Sequence, residues 1–170
     1  MIPLLLPPAL VQAPAQAQLP PPAKRHDVDL VLDDWHLAAA QADEARYFGH
    51  FAEGAVFLGT DATERWTKAE FRAWSAPFFK RGRAWSFRAA ARHLSISTDG
   101  RTAWFDEVLD TPNLGPARGS GVLVKEGKAW KITQYNLTVP IPNPLMKKVK
   151  DLIEAHLKGE AEKAKEIRKP

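Results

Sequence analysis

The sequence predicts an α+β domain in which N-terminal helices pack on a long antiparallel sheet. Two stretches with helical periodicity come first, between residues 27 and 82, and four strand-like stretches follow between residues 85 and 139. Short turns join these four stretches, which is typical of an antiparallel meander. Because a twisted sheet of this length curls over its helices, we expect the domain to enclose a space.

Composition and charge are those of one globular domain. The chain has 170 residues, of which 45% are hydrophobic and 26% are charged, and its six Trp and eight Phe predict a core rich in aromatic rings. The absence of Cys excludes disulfides, thiolate chemistry and Cys-ligated metals. The net charge is +4, but the basic residues alternate with acids, as in Glu160–Lys169, so we expect a solvated surface and no nucleic-acid partner.

The first 26 residues predict a signal peptide or a disordered leader rich in Pro and Ala. Met1–Gln18 carries no charge, Ile2–Val11 is mostly apolar, and Ala15-Gln16-Ala17 fits the small-x-small cleavage pattern. These features favour export to the periplasm. No basic residue precedes the apolar run and prolines interrupt it, so a linker-like tail on a cytoplasmic protein is the alternative. No later stretch predicts an integral membrane segment.

A helix of about 25 residues is predicted after Asp27, which can cap it. Apolar and small residues recur at spacings of three or four, and the small ones let the helix lie close to a sheet. These residues are Val31, Trp35, Ala38, Ala42, Ala45, Phe48 and Ala52. A short strand is predicted next, at Ala55–Gly59.

Thr67-Lys68-Ala69-Glu70 has the form of a capping box and predicts the start of a second helix. Phe71, Trp74 and Phe78 then share one face. Pro77 is expected to limit or kink this helix near its end.

Four strands are predicted at Trp85–Ser97, Thr102–Thr111, Ala117–Lys125 and Ala129–Val139. The turn Thr98-Asp99-Gly100-Arg101 carries the Asp-Gly signature of a tight hairpin.

A last helix is predicted from Asn143-Pro144, with Asn143 as its cap and Pro144 at the first helical position. Its apolar stripe includes Leu152 and Leu157, and Gly159 is expected to interrupt it. The chain therefore divides into a leader at 1–26, a domain at 27–143, and an amphipathic then charged helix at 144–170.

A series of short motifs in fixed order resembles a SnoaL-like domain of the nuclear-transport-factor-2-like (NTF2-like) superfamily. The resemblance covers about Asp27–Asn143 and implies a cystatin-like cone with one pocket. The motifs are Gly59-Thr60-Asp61-Ala62-Thr63-Glu64-Arg65-Trp66, Phe105-Asp106-Glu107, Arg118-Gly119-Ser120-Gly121-Val122-Leu123, Trp130-Lys131-Ile132, Gln134-Tyr135-Asn136 and Pro140-Ile141-Pro142-Asn143.

Strand alternation separates the side chains that can face this pocket. On the second strand Asp106 and Glu107 lie on opposite faces, and the alternation leaves open which of them points inward. On the fourth strand the face of Trp130 and Ile132 is the candidate concave side. Regular alternation would continue that face with Gln134 and Asn136.

Two acidic groups are candidate general bases or ligand contacts. Asp61 with Glu64 could lie at the pocket mouth, although their spacing also fits a capped turn. Asp106 or Glu107 could meet Arg118 on the next strand, either to bind a polar ligand or as a structural ion pair.

The first helix offers further polar groups. His36 could act as a base or lie on the surface, and Tyr47 could donate its hydroxyl to a ligand. No pair of His residues has the i, i+4 spacing of a zinc site, so no metal site is predicted, and no motif indicates a cofactor.

Ketosteroid isomerases share the cone but not this site. Extending the match at Phe51–Ala55 without gaps puts Trp35 where their helix Tyr would be, Gly59 where their base would be, and Ser120 near their second Asp. All three positions are changed, so isomerase chemistry of that type is not expected.

These observations favour a domain that binds a small organic molecule. The alternatives are an isomerase, cyclase or hydratase with Asp61, Asp106 or Glu107 as general base, and a homodimeric interaction module that associates through the sheet. The ligand-binding candidates are Trp35, Tyr47, Asp61, Glu64, Trp66, Trp74, Phe78, Arg118, Ser120, Gln134 and Asn136.

Overall fold

The computed structural model describes residues 26–167, and within this range the chain forms four α-helices and six strands. The predicted leader and its cleavage site lie outside the described residues. The elements are α1 (Asp27–Ala40), α2 (Glu44–Gly49), β1 (Phe51–Leu58), β2 (Arg65–Thr67), α3 (Lys68–Lys80), β3 (Arg88–Ile96), β4 (Thr102–Asp110), β5 (Ala117–Glu126), β6 (Ala129–Thr138), a 3-10 turn (Asn143–Leu145) and α4 (Met146–Ile167).

The prediction of one long N-terminal helix was wrong, because the chain breaks between α1 and α2. Ala42 adopts a left-handed backbone with φ 55°, and the Asp43 side chain then accepts a hydrogen bond from the Arg46 backbone N–H at 3.0 Å to cap α2. At the start of α1 the cap is His26, one residue before the predicted Asp27. Each of the two helices thus has its own N-cap, His26 for α1 and Asp43 for α2, where the alanine stripe alone predicted one continuous helix.

Asp34 ties the two helices together across the break. It accepts hydrogen bonds from the Arg46 guanidinium and pairs with His50 Nε2 at 2.8 Å. The hydrogen bond from Arg46, with a smaller contribution from His50, lowers the pKa of Asp34 to about 2. This ion cluster therefore fixes the angle at which α2 leaves α1.

The sheet has the strand order β2-β1-β6-β5-β4-β3. From β3 to β6 it is the predicted antiparallel meander, whereas β1 lies parallel to β6. The short strand β2 was not predicted, and it pairs with the end of β1. The predicted capping box of α3 is confirmed, since Glu70 accepts from the Thr67 backbone N–H at 2.8 Å.

A bulge in β6 corrects the prediction for that strand's faces. Leu123 pairs with Ile132 and Val122 pairs with Gln134, so Thr133 has no partner of its own. The extra residue reverses the alternation, and Tyr135 and Leu137 are buried while Gln134 and Asn136 are not. The prediction that Gln134 and Asn136 project from the concave face was therefore wrong.

The C-terminal helix also differs from its prediction. Asn143 makes no side-chain cap and belongs to the 3-10 turn, and α4 then runs through Gly159 without interruption. Its apolar residues Leu152, Ile153 and Leu157 are exposed. None of the helices in residues 26–167 is long and apolar enough to cross a membrane.

Candidate functional site

A cavity of about 190 Å³ opens among the aromatic side chains of the domain. Its inner wall consists of buried rings from α1, α2, α3 and the strands β1 and β6, while its mouth is formed by the segment after β1 and by partly exposed side chains. The inner wall includes Trp35, Tyr47, Phe57, Phe71, Tyr135 and Leu137, and the mouth includes Gly59, Thr60, Glu64, Trp66, Trp74 and Leu114.

The rings of the inner wall pack directly on one another. Trp35 lies 5.2 Å from Tyr47 and 4.6 Å from Tyr135 between ring centroids, and Phe57 stacks on Phe71 at 3.9 Å. Aromatic pairs at these distances stabilise a core beyond the area that they bury. The inner wall is therefore held in shape by its own packing.

The Tyr47 hydroxyl of this wall is fully buried and has no acceptor for its proton among the described residues. Burial raises the pKa of Tyr47 well above its ordinary value, and hydrogen bonds from the indoles of Trp85 and Trp35 to its oxygen offset only part of that rise. The hydroxyl therefore stays neutral at all ordinary pH values.

Glu107 lies behind Tyr135 at the centre of a buried polar network. The Tyr135 hydroxyl donates to Glu107 Oε1 at 3.2 Å, and His36 Nε2 lies 2.8 Å from the same oxygen. Arg92 donates from Nε to Glu107 Oε2 at 2.9 Å and continues to Asp29 and Asp33. The network thus joins α1, β3, β4 and β6.

The charges of His36 and Arg92 keep Glu107 ionised. Burial by itself raises the pKa of Glu107, but the hydrogen bond and charge of His36 and the charge of Arg92 outweigh it and lower the pKa below its ordinary value. Gly119 makes room for this arrangement, because a Cβ there would overlap the Tyr135 hydroxyl and lie 2.8 Å from Glu107 Oε1. With its partners already in place, Glu107 has the character of a structural ion.

The structure decides the question that strand alternation left open, because Glu107 faces inward and Asp106 faces outward. Arg118 does not meet Glu107, since it lies on the outer face of β5 opposite Val108. Sequence reasoning missed Arg92, which is the cross-strand partner of Glu107 on β3. The Asp99-Gly100 turn could have revealed Arg92, because a tight turn sets the register of β3 on β4 and so places Arg92 opposite Glu107.

The Asp61–Glu64 segment forms a turn at the cavity mouth. Asp61 is exposed and accepts hydrogen bonds from the Thr63 hydroxyl at 2.6 Å and from the Thr63 backbone N–H at 2.8 Å, and these two contacts lower its pKa. Glu64 accepts from the Asp61 backbone N–H at 3.2 Å. Among the described residues that line the cavity, Glu64 alone carries a carboxylate.

The remaining predicted residues divide between the mouth and the outside of the cavity. Trp66 and Trp74 stack at the mouth at 4.9 Å, and Phe78 packs on Trp74 at 5.0 Å without lining the cavity. Arg118, Ser120, Gln134 and Asn136 do not line it either. Contact of any of these side chains with a ligand stays a prediction.

Within residues 26–167, no group of three or more His, Asp or Glu side chains is arranged to hold a metal ion. The described residues that line the cavity offer aromatic rings, the unpaired Tyr47 hydroxyl and, at the mouth, the Thr60 hydroxyl and the Glu64 carboxylate.

Solved structures share this fold at low sequence identity. An NTF2-like protein of unknown function from Pseudomonas putida has a TM-score of 0.57 at 12% identity, over 68% of this chain and 86% of that one. A proposed dehydratase of the NTF2-like family from Streptomyces avermitilis has a TM-score of 0.57 at 14% identity, over 68% and 94%. A proposed calcium/calmodulin-dependent protein kinase II association domain from Xanthomonas campestris has a TM-score of 0.54 at 19% identity, over 72% and 92%.

At such identities the likeness shows the fold alone. No curated protein gives a significant match. The sequence model of the SnoaL-like domain matches residues 28–142, which is more than half of the chain. The cavity, the curved sheet and this match agree, and the chain belongs to the SnoaL-like domains of the NTF2-like superfamily.

Proposed function

We propose that this protein binds a small molecule with one aromatic ring in the cavity. The observation that carries the proposal is the wall itself, which is made of packed aromatic rings around about 190 Å³ of space. An engineered apolar cavity of about 150 Å³ in another protein accepts benzene. The volume therefore suits a single substituted ring.

The wall also selects for an apolar ligand. Ring faces and edges offer stacking and T-shaped contacts to an aromatic guest, each contributing about 0.5–1.5 kcal/mol beyond the burial of area. No Lys, Arg or His of the described part of the chain lines the cavity, so an anionic ligand would lose its hydration without gaining a counter-charge there.

The positions of the carboxylates favour ligand binding over catalysis that uses a buried carboxylate as general base. Glu107 is fully buried, kept ionised by His36 and Arg92, and is separated from the cavity by Tyr135, which lines it. Asp106 points to the outer face and Asp61 is occupied in its turn. Glu64 is the carboxylate closest to a bound ring, and it lies at the mouth.

Toluene is a suitable first probe, with binding measured by saturation-transfer NMR and by the melting temperature. We expect the unmodified protein to bind toluene and melt at a higher temperature in its presence, because the ligand binds the folded state alone. Leu137→Trp fills the cavity and should abolish both effects. Leu152→Trp adds the same ring on exposed α4 and should change neither.

The proposal fails if the unmodified protein shows no transfer of saturation to toluene. It fails equally if Leu137→Trp, folded by circular dichroism, binds toluene as tightly as the unmodified protein does.

The outer face of the sheet supports a second proposal, that two copies of the chain associate there. Trp104 and Val108 on β4 are 49% and 45% exposed, and Val122, which pairs with Trp104 from β5, is also on this face. Contiguous apolar side chains on a sheet face are a common site of association. The solved neighbour named as an association domain is consistent with such a use of the fold.

A further inference from the structure

The cavity wall contains one buried hydroxyl whose proton has no acceptor among the described residues. It belongs to Tyr47, a fully buried side chain that lines the cavity. Leaving a buried donor unpaired costs about 1–3 kcal/mol. Such groups are rare in folded proteins and call for an explanation.

The missing partner must be a hydrogen-bond acceptor. Tyr47 is neutral, and its oxygen already accepts from the indoles of Trp35 and Trp85, so its O–H proton is the group left without a partner. The other hydroxyl in the inner wall, that of Tyr135, already donates to Glu107.

The acceptor must also be uncharged. No cationic side chain of residues 26–167 lines the cavity, and the Glu107 carboxylate lies directly behind Tyr135. A carboxylate or phenolate on the ligand would be desolvated next to this fixed negative charge, which disfavours the ionised form.

We propose that the ligand is a neutral aromatic carbonyl compound whose oxygen accepts a hydrogen bond from Tyr47 O–H. This inference rests on the proposed function, because it names the class of molecule that the same cavity takes. The ring packs against the aromatic wall, and the carbonyl occupies the inner end.

Acetophenone and cumene form a matched pair that tests the hydrogen bond. The two molecules have nearly the same shape, and a methyl group in cumene replaces the carbonyl oxygen. Dissociation constants are measured by ligand-observed NMR titration for the unmodified protein and for Tyr47→Phe. We expect Tyr47→Phe to weaken acetophenone about fivefold to tenfold, which corresponds to one hydrogen bond, and to leave cumene within about twofold.

Tyr135→Phe is the matched control, because it also removes a hydroxyl from the cavity wall, but one that faces Glu107. It should change the affinities for acetophenone and cumene by the same factor. Benzoate, which carries a carboxylate in place of the neutral carbonyl group, should bind more weakly than acetophenone to the unmodified protein.

A measurement on the unmodified protein covers the case in which Tyr47→Phe does not fold. The infrared carbonyl stretch of bound acetophenone should lie at lower wavenumber than in hexane, because the donated hydrogen bond polarises the C=O bond. A hexane-like frequency, or equal weakening of acetophenone and cumene by Tyr47→Phe, would overturn the inference while leaving the proposed function standing. If neither molecule binds, both proposals fail.

Discussion

At the scale of single residues, Glu107 shows how much of the site follows from sequence. Alternation along β4 predicts that Phe105, Glu107 and Leu109 share a face, and all three are buried together. Alternation does not say which face points inward, because both faces of β4 carry a mixture of apolar and acidic residues. The partners His36 and Arg92 come from α1 and β3, so only the packing of those elements brings them to Glu107.

Replacing Glu107 tests its role as a structural ion. We expect Glu107→Gln to lower the free energy of unfolding by about 3–5 kcal/mol near neutral pH, because it leaves the buried Arg92 charge without its main partner. The exposed neighbour Asp106 provides the control, and Asp106→Asn should change stability by no more than about 0.5 kcal/mol. Urea denaturation measures both.

The contribution of Glu107 to the free energy of unfolding should depend on pH. The pKa of Glu107 in the folded protein is below its ordinary value of 4.5. Its contribution is therefore complete above pH 4.5 and is lost as the pH falls through the lowered pKa. The difference in stability between the unmodified protein and Glu107→Gln should shrink in that acidic range. A difference that stays constant down to the acid transition would contradict this role.

At the scale of elements, the sequence predicts those parts whose signals are local. The capping box at Thr67, the Asp-Gly turn before β4 and the meander from β3 to β6 depend on neighbouring residues, and they are found where predicted. The break at Ala42 and the bulge at Thr133 were missed. Neither place has a glycine to mark it, and each is imposed by contacts with distant elements, the core for Ala42 and β5 for Thr133.

Ala42 gives a prediction for the break between α1 and α2. A left-handed backbone costs a residue with a Cβ about 1–2 kcal/mol, and glycine avoids that cost while losing more chain entropy on folding. We expect Ala42→Gly to stabilise the protein by about 0.5–1 kcal/mol in urea denaturation. Ala45→Gly, within α2, should destabilise it by a similar amount. If Ala42→Gly also destabilises the protein, contacts of the Ala42 methyl with the core outweigh the backbone strain.

At the scale of the whole molecule, the motif order was sufficient to predict the fold and the family, because the motifs fall on successive strands of one sheet. The unpaired Tyr47 hydroxyl in the cavity wall could not be predicted in the same way. Trp35 and Tyr47 come from two helices whose relative angle is set by the break at Ala42 and by Asp34. The two faces of the sheet differ in what they contact. The concave face lines the cavity, and the outer face exposes apolar side chains around Trp104.

Association through that outer face can be separated from ligand binding by one substitution. Trp104→Glu places a charge in the exposed patch, where a second copy could not bury it without a counter-charge, so we expect the sedimentation mass at high concentration to fall to that of one chain. Leu152→Glu changes an exposed apolar residue on α4 and should leave the mass unchanged. Toluene should bind Trp104→Glu normally, because Trp104 points away from the cavity. Dissociation by Leu152→Glu and not by Trp104→Glu would place the contact on α4, and a single-chain mass for the unmodified protein would remove the proposal of self-association.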